Sequence, residues 1–193
     1  MLIVAVELSV LVGTLVVMAR LGSVPEWVDP PLRAVADSEL YLLTVFKRTR
    51  APQALGSWVC LSWLGAEDGE RTPGPLGEGL PTETAAWASM LVADAIAEDA
   101  PYPVSGWWAV RGIAPADRIT PDGWAARVGS GYTRRYMHGV TVALGWLLGE
   151  LSDPRLMAPV FDGAGERIPV AEREVCQARL WALSERARTS IAG

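Results

Sequence analysis

The side chain best suited to proton transfer at neutral pH is His138, the single histidine in 193 residues, because imidazole alone titrates near neutrality without help. It follows Arg134, Arg135 and Tyr136 closely in the sequence. With Glu150 or Asp153 as partner it would form an acid–base pair. A reaction centre needs more than that, and the chain holds no Gly-x-Ser-x-Gly, no nucleotide-binding glycine loop and no His-Glu-x-x-His. The plainer reading of His138 is a structural or solvent-facing residue. Arg134 and Arg135, at a helix start, could grip a phosphate or an acidic partner, although a helix start favours anions and exposed arginines are ordinarily just solvated.

Cys60 and Cys176 lie far apart in apolar helical patterns. They read as buried free thiols, with a disulfide between them as the alternative. One histidine and two distant cysteines make a poor metal set, so no metal or cofactor is expected. Glu67, Asp68, Glu70 and Arg71 read as a solvated loop. Trp107, Trp108 and Trp124 stand between prolines, where such rings serve either as satellite core or as an interface hot spot. The residues singled out for interaction are Trp107, Trp108, Arg134, Arg135 and His138, and none is assigned a catalytic role.

The elements that would position these residues are mainly helical. Half the residues are hydrophobic and 20% are charged, enough to bury a substantial core. Net charge is −5 and the pI is near 5.0, which argues against binding to phosphate backbones, so no nucleic-acid partner is expected. Lys47 is the only lysine among 17 basic residues, a codon bias of a high-G+C genome and not a chemical feature.

Residues 2–18 form a nearly continuous apolar run closed by Arg20, near the minimum length that spans a bilayer core. Basic residues follow on one side only, which would leave the bulk of the chain cytoplasmic. Glu7 makes insertion marginal, costing about 2 to 3 kcal/mol near the middle of a span. The run also alternates, with Val4, Val6, Leu8, Val10 and Val12 on one face, as a strand does. Its best strand partner would be Trp107 to Ile113. Membrane anchor, buried strand or helix, and signal-like segment all stay open.

Prolines at 25, 30 and 31 make a corner. A helix is expected over 31–47, capped by Asp29, with Leu32, Val35, Ala36, Leu40, Leu43 and Phe46 inward and Glu39 as an interruption. A second follows Pro52, with Leu55, Trp58, Val59, Ser62 and Trp63 on one face. Residues 66–81 read as an exposed loop. A helix over 82–98 carries Trp87, Leu91 and Ala95 on its stripe. Thr120 to Gly123 would cap a short helix or form a turn. The clearest helix covers 132–150, with Tyr136, Val140, Leu144 and Leu148 in a stripe beside Met137, Ala143 and Leu147. Gly139 and Gly145 inside it imply close approach by another helix backbone. A final helix is expected over 169–188, with Cys176, Leu180, Leu183 and Ala187 inward.

The stretch Gly56 to Gly65 reads as a weaker copy of Gly139 to Gly149: at a constant offset Gly56 meets Gly139, Val59 meets Val142, Leu61 meets Leu144, Trp63 meets Trp146 and Leu64 meets Leu147. Gly77 to Pro81 resembles Gly165 to Pro169 before the following helix in each case. The fold expected is mainly α, with two related helix-loop-helix units packed together behind an apolar N-terminal segment. The chain divides into that segment (1–22), a first unit (23–98), a Trp/Pro-rich connector (99–131) and a second unit (132–193).

The segment His138 to Glu150, His-Gly-Val-Thr-Val-Ala-Leu-Gly-Trp-Leu-Leu-Gly-Glu, resembles one in small uncharacterised proteins of actinobacteria and their phages. The resemblance implies a lineage and carries no catalytic residues with it. The function expected is that of a non-enzymatic helical interaction or assembly protein that binds itself or another protein. A membrane-anchored accessory subunit, tethered through residues 2–18, and an enzyme centred on His138 are the alternatives.

Overall fold

The computed structural model describes residues 16–65, 74–77, 79–151 and Ala171. These are mainly helical, and the helices pack on one another around one buried cluster that runs from Leu21 to Leu147. Residues 16–21 are helical; residues 2–15 of the apolar run lie outside the described residues, as do Cys176 and all of the expected final helix except Ala171. Among the described residues no helix is long and apolar enough to cross a membrane.

Helix α1 (Leu32–Thr49) begins at Pro31, which has no side chain to cap it. The expected Asp29 cap is not made. Asp29 instead donates its backbone N–H to the Leu147 carbonyl at 2.8 Å, tying the Pro25–Pro31 corner to the end of the last described helix. At its other end α1 carries Lys47 and Arg48, which suit the negative pole of the helix dipole. Arg50 then turns into the left-handed region with φ 57° and closes on Phe46 O.

The inward face of α1 differs from the expected one. Val35, Ala36, Ser38, Glu39 and Leu42 are buried, and Glu39, read as an interruption, is only 4% exposed. A carboxylate this deep requires a partner, and Arg20, nineteen residues earlier, donates from Nη2 to both of its oxygens. Burial still pushes the Glu39 carboxyl above its ordinary range, with the Arg20 charge and hydrogen bond and the neighbouring Trp58 indole pulling it down.

Two residues after Arg50, Pro52 opens α2 (Pro52–Trp63) from its first turn, where a missing N–H costs nothing. The short link makes α1 and α2 packed neighbours. The buried residues of α2 include Gly56, Ser57, Cys60 and Leu61, whereas Leu55, Trp58, Val59 and Ser62 of the expected face are only half-buried. Of the expected face only Trp63 is fully buried, and beside it the small residues Gly56 and Ser57 lie deep because a second backbone passes over them.

That backbone belongs to α6 (Gly131–Leu147), capped by Ser130 Oγ, which accepts from the Thr133 N–H at 3.3 Å. A methyl group on Gly56 would overlap the Tyr136 carbonyl oxygen, and one on Gly139 would overlap that of Gln53. The two glycines aligned in the sequence therefore each meet the partner helix. Ser57 donates its hydroxyl to the Gly139 carbonyl at 2.8 Å across the crossing, and Cys60 is a fully buried free thiol. Gly145 departs from expectation: a methyl group added there would meet the Leu151 side chain, from the turn after its own helix, and not another backbone. That turn is formed by Gly149 with φ 78°, whose N–H reaches Trp146 O while the Glu150 N–H reaches Gly145 O.

Helix α3 (Glu83–Ala97) is capped as expected by Thr82, whose hydroxyl accepts from the Ala85 N–H at 3.2 Å. Its buried stripe is Ala86, Val92, Ala93, Ile96 and Ala97, with Trp87, Leu91 and Ala95 at its half-buried edge. Both α2 and α3 pack on α6, which is buried on most of its circumference from Gly139 to Leu147. The connector folds into a short helix α4 (Trp107–Val110), a 3-10 turn at Pro115–Asp117 and α5 (Pro121–Val128). Trp107 to Val110 is thus helical, not the strand that would have paired with the N-terminal run. Thr120 does cap α5, accepting from the Gly123 N–H at 3.1 Å.

The described part of the 66–81 loop is not a free surface loop. Pro75 is buried, and three aromatic side chains donate to carbonyls of this strap: Tyr136 Oη to Pro75 O at 3.3 Å, Trp63 Nε1 to Gly79 O at 2.7 Å and Trp27 Nε1 to Pro81 O at 3.2 Å.

Candidate functional site

The connector supplies the most distinctive surface. Leaving α3, the chain takes a left-handed residue at Asp99 (φ 63°), with its N–H on Ile96 O and the Ala100 N–H on Ala95 O. This closed turn presents the Ala100 carbonyl inward, where the Trp124 indole N–H donates to it at 2.9 Å. Trp124, 2% exposed, then becomes the hub of a ring cluster. Trp108 meets it edge-on with centroids 5.8 Å apart, Tyr102 at 5.9 Å and Trp107 at 6.4 Å, while Trp107 and Trp108 stand edge-to-face at 5.0 Å. Such pairs add about 0.5 to 1.5 kcal/mol each beyond the area they bury.

A rigid cluster of this kind could be core alone, but its outer rim is apolar and open. Val104 is 79% exposed and Val110 86%, Tyr102 is exposed and Trp107 half-buried. Arg111 lays its guanidinium over the Trp107 ring at 5.2 Å from the centroid. The face combines aromatic, branched aliphatic and arginine side chains, the types enriched where proteins meet proteins.

The residues singled out from the sequence fall into two places. Trp107 lies on this face; Trp108, 6% exposed, lies behind it and holds the rings in position. Arg134, Arg135 and His138 lie on α6, all half-buried. Arg134 Nη1 pairs with Asp99 Oδ2 at 3.3 Å, so it braces the turn from which the aromatic cluster hangs. His138 is half-buried midway along α6, whereas Glu150 is exposed in the turn beyond the helix end, its N–H folded back on Gly145 O. Asp153 lies outside the described residues. Among the described residues no three His, Cys, Asp or Glu side chains gather as a metal set.

Sequence reasoning missed Val104 and Tyr102, which carry no periodic signal near the prolines, and read Val110 only as part of the Trp107 to Ile113 strand, whereas it is 86% exposed on a short helix. The only usable signal was the aromatic density beside them. No protein-family model, curated protein or solved structure matches the chain.

Proposed function

We propose that the protein is a non-enzymatic helical interaction or assembly protein, of the actinobacterial or actinophage lineage that its His138 to Glu150 segment resembles. Two related helical hairpins, one built on α2 and the other on α6, bury their small-residue faces against each other in this reading. The connector between them serves as the contact surface for a second copy or another protein. The observation that carries the reading is the exposed Val104 and Val110 rim on a rigid Trp107, Trp108 and Trp124 base. A face already ordered before contact loses little side-chain entropy on binding.

Light scattering across a concentration series, with a photo-crosslinking residue at Val110 and a control at Arg33, tests it. Arg33 is exposed on α1. A mass above the monomer, or a protein crosslinked from Val110 and not from Arg33, supports the reading when Val104→Asp abolishes it. A monomer at every concentration together with equal crosslinking from both positions overturns it.

A further inference from the structure

Among the described residues two side chains other than glycine take the left-handed backbone, Arg50 and Asp99. Each closes a helix. Arg50 puts a cation at the end of α1, where the dipole favours it, and lays its guanidinium over the Phe46 ring of its own helix. Asp99 does neither. At the end of α3 its N–H reaches Ile96 O at 3.1 Å and the Ala100 N–H reaches Ala95 O at 2.9 Å, the paired bonds of a helix stop whose left-handed position ordinarily holds glycine or asparagine. Its carboxylate, next to Glu98, also stands at the negative pole of a helix with no basic residue in its last turn. Glycine would serve α3 better.

Arg134 is misplaced in the complementary sense. It is the fourth residue of α6, close to the positive pole, and no acid stands in the first turn of that helix. Each charge is wrong for its own helix and right for the other. The two meet at 3.3 Å, Nη1 to Oδ2, and Arg134 Nε is shut off from water, so the stem of the side chain is packed. Local rules broken on both sides and answered by one tertiary contact point to what that contact joins. It joins the start of α6 to the root of the connector, where the next carbonyl, that of Ala100, takes the Trp124 indole N–H and Tyr102, Val104 and Trp107 follow.

We propose that the Asp99–Arg134 pair positions the contact face, locking the root of the connector to α6 and making presentation of the face depend on ionic strength. The inference rests on the reading of that face as a contact surface. With side chains 55% and 31% exposed, the pair shifts the balance between a held and a loosened turn by only about two- to fivefold. It is also open to screening, since the Debye length falls from about 10 Å at about 0.1 M salt to about 3 Å at about 1 M. Apolar burial of Val104 and Val110 is not screened in this way. Arg111 adds a charge to the rim itself, so the share of the pair is whatever salt dependence disappears with it.

The test compares wild type with Asp99→Asn, because asparagine suits the left-handed backbone and the change removes only the charge. Arg134→Gln is the second variant. Hydrogen exchange of the Ala100 amide and the Trp124 indole N–H is followed by NMR at low and high sodium chloride. Salt should speed both in wild type by about two- to fivefold. Either variant should show the faster rates with little response to salt, and the double variant should be no faster than a single one. Asp99→Arg combined with Arg134→Asp should restore slow, salt-sensitive exchange, since arginine already takes the left-handed backbone at position 50. Crosslinking from Val110, at a temperature where every chain is fully folded, should weaken by up to about fivefold in the single variants and recover in the reversed pair. A loss of stability alone would leave it unmoved. Exchange unaltered by Asp99→Asn, or faster exchange with crosslinking unchanged, overturns the positioning role and leaves the contact reading standing. Exchange as expected in a wild-type chain that makes no contact from Val110 overturns the contact reading, and the positioning role with it.

Discussion

At the α2 and α6 crossing main chain meets main chain, whereas in the Trp107 to Trp124 cluster ring meets ring. Gly56 and Gly139 let two helices touch carbonyl to Cα, and Ser57 spends its hydroxyl on the partner's backbone. In the connector, rings hold the backbone segments apart at centroid spacings of 5.0 to 6.4 Å. Both arrangements exclude water, but they fail in opposite directions: the first has no room for an added atom, the second leaves a void for every atom removed.

The sharpest break of this contrast is Trp124→Ala, which empties the hub of the cluster and should cost about 3 to 5 kcal/mol, read as a fall in the urea midpoint. A loss under about 1 kcal/mol would show that the rings collapse onto the space. Next comes Gly56→Ala, the smallest possible addition, expected to cost about 3 kcal/mol because the obstacle is the Tyr136 carbonyl and not a side chain that can swing away. Gly139→Ala should behave alike. The double variant should cost less than the two losses added, since one separation of the helices relieves both. Additivity would mean that the two glycines do not share one contact.

Ser57→Ala should cost only about 1 kcal/mol, the net worth of one buried hydrogen bond. That separates steric fit from polar contact at the same crossing. A larger loss would make the hydroxyl, and not the absence of side chains, the main element of the contact.

A third kind of burial, at the α1 and α2 interface, supplies the smallest effect. The Glu39 carboxyl titrates above its ordinary range because burial outweighs Arg20. Its proton is therefore held more tightly in the folded chain than in the unfolded one. The resulting stability is full below the unfolded carboxyl range and fades as pH rises through the raised value. Unfolding curves of wild type and Glu39→Gln between acid and neutral pH should show wild type losing ground to the variant as pH rises. The opposite slope would mean that Arg20 overcomes the desolvation.

Much of this architecture could be read from residue spacing. The helices at 32–49, 52–63, 83–97 and 131–147 lie close to where periodicity and caps placed them, and Thr82 and Thr120 cap as their positions imply. The close approach at Gly139 was also legible, because a glycine inside an apolar helix has few other uses. The inward faces of α2 and α3 were not. Periodicity ranks residues by apolarity, while a backbone crossing ranks them by size, so Gly56 and Ser57 went deeper than Trp58 and Val59. Glu39 was opaque for a different reason: its partner is distant in sequence, and a charge among apolar neighbours looks like an error until that partner is seen. The strap's anchors escaped notice because Trp27, Trp63 and Tyr136 act through single polar atoms on otherwise apolar rings. On the proposed contact face, Trp107 was legible as an aromatic, Val104 had no pattern to mark it, and Val110 was hidden in what read as a strand.

Arg20 joins the helical residues 16–21 to α1 through Glu39, nineteen positions along the chain, so this one ion pair is a clasp between two segments that no local sequence signal connects. Were the guanidinium removed, the carboxylate would remain indoors without its counterion and would hold its proton over a still wider span of pH.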